Sequence, residues 1–205
     1  MRRALSVVAV LVGIVVIAGL SVTRTYNRLV PLSQGVDAQW GQVENVYQRR
    51  ADLVPNLVAS VQGAADFERS TFIAVTEARA GVGRMTLNAE NLPDDPGAFA
   101  RFQEAQDQLS SALSRLLVVV ERYPDLKATQ NFQQLQAQLE GTENRITVER
   151  RRYNERAREY NTARLRFPTK LMAGIFGFGN KAYFRARPGA EQPPEVRFEF
   201  EPPGS

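Results

Sequence analysis

The sequence contains no cysteine and no histidine. The first absence excludes disulfides, thiolate chemistry and a cysteine-linked lipid anchor, while leaving the redox compartment open. The second removes the commonest general base, and both together remove the commonest zinc ligands. Lysine occurs only at Lys127, Lys170 and Lys181, so catalysis would have to rest on carboxylates, those amines or hydroxyls. Arg2 and Arg3 precede any acid, and beyond residue 22 the balance is 24 basic to 22 acidic residues. That remainder lacks the basic excess of a dedicated nucleic-acid binder, and no nucleic-acid partner is expected. Strand-like alternation is missing until the last dozen residues, where VRFEFE is a weak candidate for pairing with a partner strand. With 205 residues and 43% hydrophobic composition, the chain suits one ordinary core.

A long uncharged run opens the chain. Residues 4–22, ALSVVAVLVGIVVIAGLSV, span roughly 28 Å as a helix, against a bilayer core of about 30 Å. A cleaved signal peptide would carry a shorter apolar region and a better cleavage site than Gly19-Leu20-Ser21, so an uncleaved signal anchor is the expectation. Arg2 and Arg3 before the span balance Arg24 and Arg28 after it. The expected arrangement is single-pass in the bacterial inner membrane, with the N-terminus inside and the remaining domain on the extracytoplasmic side.

Beyond the span, apolar residues fall in rows with alternating steps of three and four, the pattern of helices packed lengthwise. The first row is Val36, Trp40, Val43, Tyr47, Arg50 and Val54; the second continues from Val54 through Glu68, Phe72, Val75 and Arg79 and is expected to stop at Gly81 and Gly83. Asp95 and Pro96 read as N-cap and first residue of a third helix carrying Phe99, Phe102, Gln106, Leu109, Leu113, Leu116 and Val120. After a turn at Tyr123-Pro124-Asp125, the fourth row is Phe132, Leu135, Leu139, Thr142, Ile146, Glu149, Tyr153, Arg156 and Tyr160. Short connections make successive helices antiparallel. The predicted fold is all-α: an N-terminal transmembrane helix followed by an antiparallel four-helix bundle with long helices. Its segments are a flank at 1–3, the anchor at 4–22, a stalk at 23–32, the bundle at 33–167, an apolar segment at 168–184 and a Pro/Gly/Glu-rich tail at 185–205.

Candidate sites follow from residues that interrupt these rows. Pro55 cannot donate to the carbonyl four residues back, so the chain is expected to turn there, with Asp52 capping a helix that starts near Asn56 and Arg50 on the last turn of the incoming helix. A ligand-binding role for this tip is the alternative. The polar seam residues Glu68, Arg79, Gln106, Thr142, Glu149 and Arg156 must be paired, hydrated or grouped in a site, because an unpaired charge in a dry core costs several kcal/mol. Arg79 and Glu149 count to a similar height and are expected to meet. Pro31 would let the 23–32 stalk extend, matching a short first helix to a long fourth one. The fourth helix alternates arginine with glutamate, the mark of a salt-bridged helix, with phosphate binding as the alternative. Following Phe167-Pro168, LMAGIFGFG is flanked by cations and reads either as a headgroup-layer segment or as a tail folded over the bundle base. Arg164, Arg166, Lys170, Phe176, Phe178 and Lys181 are the candidate lipid contacts.

Several stretches together resemble the LemA family of bacterial membrane proteins: YNRLV at 26–30, VDAQW at 36–40, RRADLVPNLVASVQG at 49–63, VTEARA at 75–80, ERYPDLKA at 121–128, TENRITVERRRYNERAREYN at 142–161 and FPTKLMAGIFGF at 167–178. The resemblance covers about residues 20–184 and implies one N-terminal transmembrane helix and an antiparallel helical bundle. Pro31 and Gly35 depart from the smoother helix of the family. No enzymatic activity is implied, although one branch is associated with forming magnetosome membranes. The expected function is a non-enzymatic, membrane-anchored scaffold or adaptor acting through protein contacts or membrane organisation, without cofactor. The alternative is an anionic-lipid surface module that uses the basic fourth helix and the 168–187 segment. Membrane lipid and unidentified proteins are the expected partners, and the oligomeric state stays open.

Overall fold

Helix α1 runs unbroken from Arg2 to Gln62, past Pro31 and Pro55, over 61 residues. The computed structural model describes residues 2–62, 69–87 and 92–186. The opening of α1 is apolar and long enough to cross a membrane, and none of that stretch is buried against the rest of the chain.

The turn expected at Arg50, Asp52, Pro55 and Asn56 is therefore corrected: all four are helical. Pro55 leaves the Ala51 carbonyl without its helical donor. Arg79, on helix α2 (Arg69–Leu87), supplies one, its Nε donating to that oxygen at 3.1 Å. Asp52 caps nothing and instead accepts from Gln48 Nε2 at 2.8 Å. Pro55 and Asn56 face outward while Val54, Leu57 and Val61 continue the buried stripe. The connection from α1 to α2 lies outside the described residues, as does Glu68.

Two other expectations change with it. Residues 23–32 are helical rather than an extended stalk, and Thr25 and Leu29 are already buried against the domain. No extension is needed, because α1 from Val22 to Gln62 covers about 60 Å and the 36-residue α5 (Gln130–Leu165) about 54 Å. Helix α2 also continues through Gly81 and Gly83 to Leu87. A helical glycine costs only about 1 kcal/mol, and Val82, 3% exposed, with Met85 beside the core, outweighs that loss.

A short 3-10 turn (Leu92–Asp94) leads into α3 (Pro96–Val120), where the predicted cap forms: the Asp95 carboxylate accepts from the backbone N–H groups of Gly97 and Ala98 at 2.8 and 3.0 Å. These two bonds hold the Asp95 carboxyl below the usual aspartate range. Helix α4 (Pro124–Lys127) occupies the predicted turn, and α5 starts five residues later than Asp125 because Thr129 caps it through Phe132 N–H. After Phe167-Pro168, α6 (Thr169–Ile175) is followed by a strap, residues 176–186, free of regular secondary structure.

Helix α1 packs chiefly on α5, and α2 on α3. Trp40 and then Arg50 on α1 meet Phe99 and then Gln106 on α3, but Tyr153 and then Glu143 on α5, so α1 runs with α3 and against α5. The interior divides into two apolar clusters. One holds Leu29, Val36, Trp40, Phe99, Phe102, Tyr153 and Tyr160; the other holds Val54, Leu57, Val75, Leu109, Leu116, Phe132 and Leu139. Each fully buried phenylalanine among them contributes about 2–3 kcal/mol. In α5 the buried row passes from Tyr153 to Ala157 and Tyr160, so Arg156 is not on the seam; it is exposed and pairs with Glu159 at 3.2 Å. A straight helix drifts about 20° per heptad from a strict 3.5-residue repeat, and after three heptads the predicted position has rotated out of the core.

If Arg79 replaces the hydrogen bond that Pro55 removes, the two positions are coupled. Arg79→Ala should cost about 1 kcal/mol in the parent chain and less than half of that in the Pro55→Ala background, where Ala51 regains an N–H donor. A double-mutant cycle by chemical denaturation measures this difference.

Candidate functional site

Between the two apolar clusters sits one cation. Arg50 belongs to the first row and is 1% exposed. Its Nη1 donates to Ser110 Oγ at 2.6 Å and to Glu143 Oε1 at 2.8 Å, and its Nη2 to the backbone and side-chain oxygens of Gln106. The guanidinium also lies 5.1 Å from the centre of the Tyr47 ring. Burial pushes the Tyr47 hydroxyl above its ordinary value, while Arg150 and Arg50 pull the other way. Thr142 completes the polar layer, satisfied by the Gln138 carbonyl at 2.7 Å. Among the described residues Arg50 Nε and Gln106 Nε2 are buried without a hydrogen-bond partner, and Gln106 edges a cavity of about 200 Å³ with Glu44, Tyr47, Val82 and Phe102. By tying α1 to α3 and α5, the layer fixes the register of the three helices.

The second polar construction is the strap. It climbs α5 in the opposite direction, and side chains of α5 serve as its ladder partners. Asn161 donates from Nδ2 to the Lys181 carbonyl at 2.8 Å and accepts from Lys181 N–H at 3.0 Å. Asn154 does the same for Phe184, both bonds at 2.9 Å. Tyr160 and Tyr153 donate to the carbonyls of Gly179 and Ala182 at 2.9 and 3.0 Å. Seven helical residues rise about 10.5 Å and three extended ones about 10 Å, which lets the repeated Tyr-Asn pair meet the strap twice in register. Gln103 of α3 closes the ladder with two bonds to Arg185.

Side chains of the strap reach further inward. Phe184 enters an aromatic cluster, 4.7 Å from Phe99, 5.5 Å from Tyr153 and 6.1 Å from Trp40 by ring centres. Lys181, 3% exposed, donates to Asp37 of α1 and to Asp94, each at 2.8 Å. Burial alone would lower the Lys181 ammonium, but the hydrogen bonds and charges of the two aspartates outweigh it and hold it above its usual value. Burial likewise raises Tyr153 and Tyr160.

Lys181 and Phe178, expected at a lipid surface, are thus corrected to interior roles. Lys181 is a buried cation, and Phe178 packs against the lower cluster with its carbonyl accepting from Arg164 Nε at 2.7 Å. Arg166, Lys170 and Phe176 stay exposed. The expected Arg79–Glu149 contact does not form: Arg79 serves Ala51, whereas Glu149 accepts from Gln39 at 2.7 Å and Arg152 at 2.8 Å. The count that paired them assumed a turn at Pro55, and α1 runs on past it. Among the described residues no three carboxylates group as metal ligands. An open cleft of about 920 Å³ between α2 and α3 is lined by small residues and by charges of both signs, including Glu77, Glu104 and Arg115.

Residues 39–198 match the model of the LemA family, a span that includes the arginine layer and the strap. The chain belongs to the LemA family. It is similar to magnetosome proteins MamQ 1 and MamQ 2 of Paramagnetospirillum magneticum, each 30% identical over 93% of this chain and 75% of the relative. Magnetosome protein MamQ of Magnetospirillum gryphiswaldense is 28% identical over 82% of this chain and 67% of the relative.

In this LemA chain, sequence reasoning missed the strap's partners. Asn154 and Asn161 lie beside row positions and received no role, although the Tyr-Asn pair repeated at seven-residue spacing was a usable signal. Removing the Phe184 ring should destabilise the domain: Phe184→Ala is expected to cost about 3–5 kcal/mol, read by denaturation through the fluorescence of Trp40, the sole tryptophan.

Alkaline pH should loosen the domain. Lys181, Tyr47, Tyr153 and Tyr160 all hold their protons more tightly when folded, so their contribution is complete below about pH 10 and is lost as pH rises through the folded values. Melting temperature of the detergent-solubilised protein should fall steeply above about pH 10, with a shallower slope for Tyr153→Phe.

Proposed function

We propose that this chain is a non-enzymatic, membrane-anchored helical scaffold. Its α2, α3 and α5, with the part of α1 beyond the span, form an antiparallel four-helix bundle standing on the extracytoplasmic face of the inner membrane. The observation that carries this reading is the continuity of α1: one helix provides both the exposed apolar run and one wall of the packed domain. A hinge-free joint holds the bundle at a fixed height and tilt, which suits a protein that presents its surface to membrane neighbours. The polar interior supports the same reading, since Arg50, Lys181 and the strap amides are each taken up by groups of the fold itself, among them Glu143, Asp37 and Asn161. Relatives named as magnetosome proteins fit a role in organising membrane, exerted here through protein contacts.

Proximity crosslinking of the intact chain in its native membrane, with protease accessibility, tests this. Recurrent neighbours crosslinked from the bundle surface are expected, together with digestion of the bundle from the extracytoplasmic side only. Release by alkaline carbonate without detergent would refute the anchor. Crosslinks no different from those of a control carrying residues 1–32 alone would refute the scaffold.

A further inference from the structure

Among the described residues, the base of the domain carries apolar side chains left open to solvent. Phe167 is 83% exposed, Ile175 72%, Leu171 58% and Leu165 55%. On α6, Thr169 and Ala173 are buried, so Leu171 and Ile175 fall on the face turned away from the domain. Leaving four such groups in water is unfavourable by more than 1 kcal/mol each.

Their height is fixed by contacts to α1. Tyr26 lies one helical turn, about 6 Å, past the end of the apolar run at Val22. Its ring meets those of Phe176 and Phe178 at 5.4 and 5.8 Å. Arg164 of α5 bonds the Phe178 carbonyl, and α5 descends from there, so Phe167 lies lower still, near the level of Val22. The headgroup region adds about 5–8 Å on each side of the hydrocarbon core, which puts Phe167, Ile175 and Phe176 at the depth of that layer. Charge selects the lipid. Residues 23–36 and 160–186 contain no acid, and Arg24, Arg28, Arg166 and Lys170 are exposed around the patch. Arg28, Arg158 and Arg166, with the single acid Glu159, also line a cleft of about 560 Å³ between α1 and α5.

We infer that the α5–α6 corner is a second membrane contact, dipping Phe167, Leu171, Ile175 and Phe176 into the interface of a bilayer whose anionic headgroups are held by Arg24, Arg28, Arg166 and Lys170. This rests on the anchor reading, because α1 sets the height. It gives the domain two points of attachment, so the bundle reports or imposes the local position of the bilayer surface. Apolar burial and headgroup charge act together at such an interface, each basic residue adding about 1 kcal/mol.

The absence of native cysteine makes the test direct. Full-length F167C, I175C, V15C and A137C variants are labelled with a fluorophore and reconstituted into nanodiscs containing phosphatidylglycerol and spin-labelled lipid quenchers of defined depth. Shallow quenchers should dim labels at 167 and 175 at least about twofold more than the label at 137, at the far end of α5, and the difference should shrink in phosphatidylcholine alone. Quenching at 15 by deep quenchers, with labels at 167 and 175 as unquenched as that at 137, would overturn this inference and leave the anchor standing. No quenching at 15 would overturn the anchor and the inference with it. Equal quenching in both lipids would overturn the assignment to anionic headgroups.

Discussion

The carbonyl of Ala51 is the point on which the architecture turns. Pro55 leaves it without a donor inside what must be a continuous helix, and an arginine from the next helix fills the gap. Because that bond is made, α1 keeps its direction for another two turns, which moves the chain reversal beyond Gln62. The extra length matches α1 to α5 and removes any need for an extended stalk. Arg79 thereby acts as a brace for α1 rather than as a seam charge facing Glu149.

The buried cations and the strap amides are held by residues distant in sequence and so record the tertiary arrangement. Arg50 ties α1 to α3 and α5 through Ser110, Gln106 and Glu143. Lys181 ties the strap to α1 and to the turn before α3 through Asp37 and Asp94. Two asparagines and two tyrosines on α5 give the strap's backbone the hydrogen bonds a neighbouring strand would give. The same holds for much of the charge on the arginine-rich helix α5. Several of its cations serve the fold: Arg164 and Arg150 bond strap carbonyls, and Arg152 and Arg156 pair with glutamates three residues away. The cations left to face outward at the base are those nearest the exit of the apolar run.

The two halves of the 168–184 segment face opposite ways. Its second half folds back over the domain, with Phe178, Lys181, Ala182 and Phe184 directed inward. Its first half keeps Leu171 and Ile175 in the open, on the side where α1 leaves the domain. A single short segment closes the aromatic core and leaves an apolar underside.

By itself the sequence determined what local periodicity and local chemistry can encode. The first and third rows are buried at every position, and the Asp95 cap and the Pro124 turn stand where residue type and spacing put them, because each depends on neighbours within a turn or two. The tertiary structure decided whether Pro55 would break α1, which polar residues would pair, and that Asn154 and Asn161 would hold a strap. Those outcomes rest on partners 28 residues away for Ala51 and Arg79, and 144 for Asp37 and Lys181. Apart from the seven-residue Tyr-Asn repeat, local pattern does not carry that information, since the free energy of a missing or buried polar group is settled by what the rest of the chain brings within hydrogen-bonding distance.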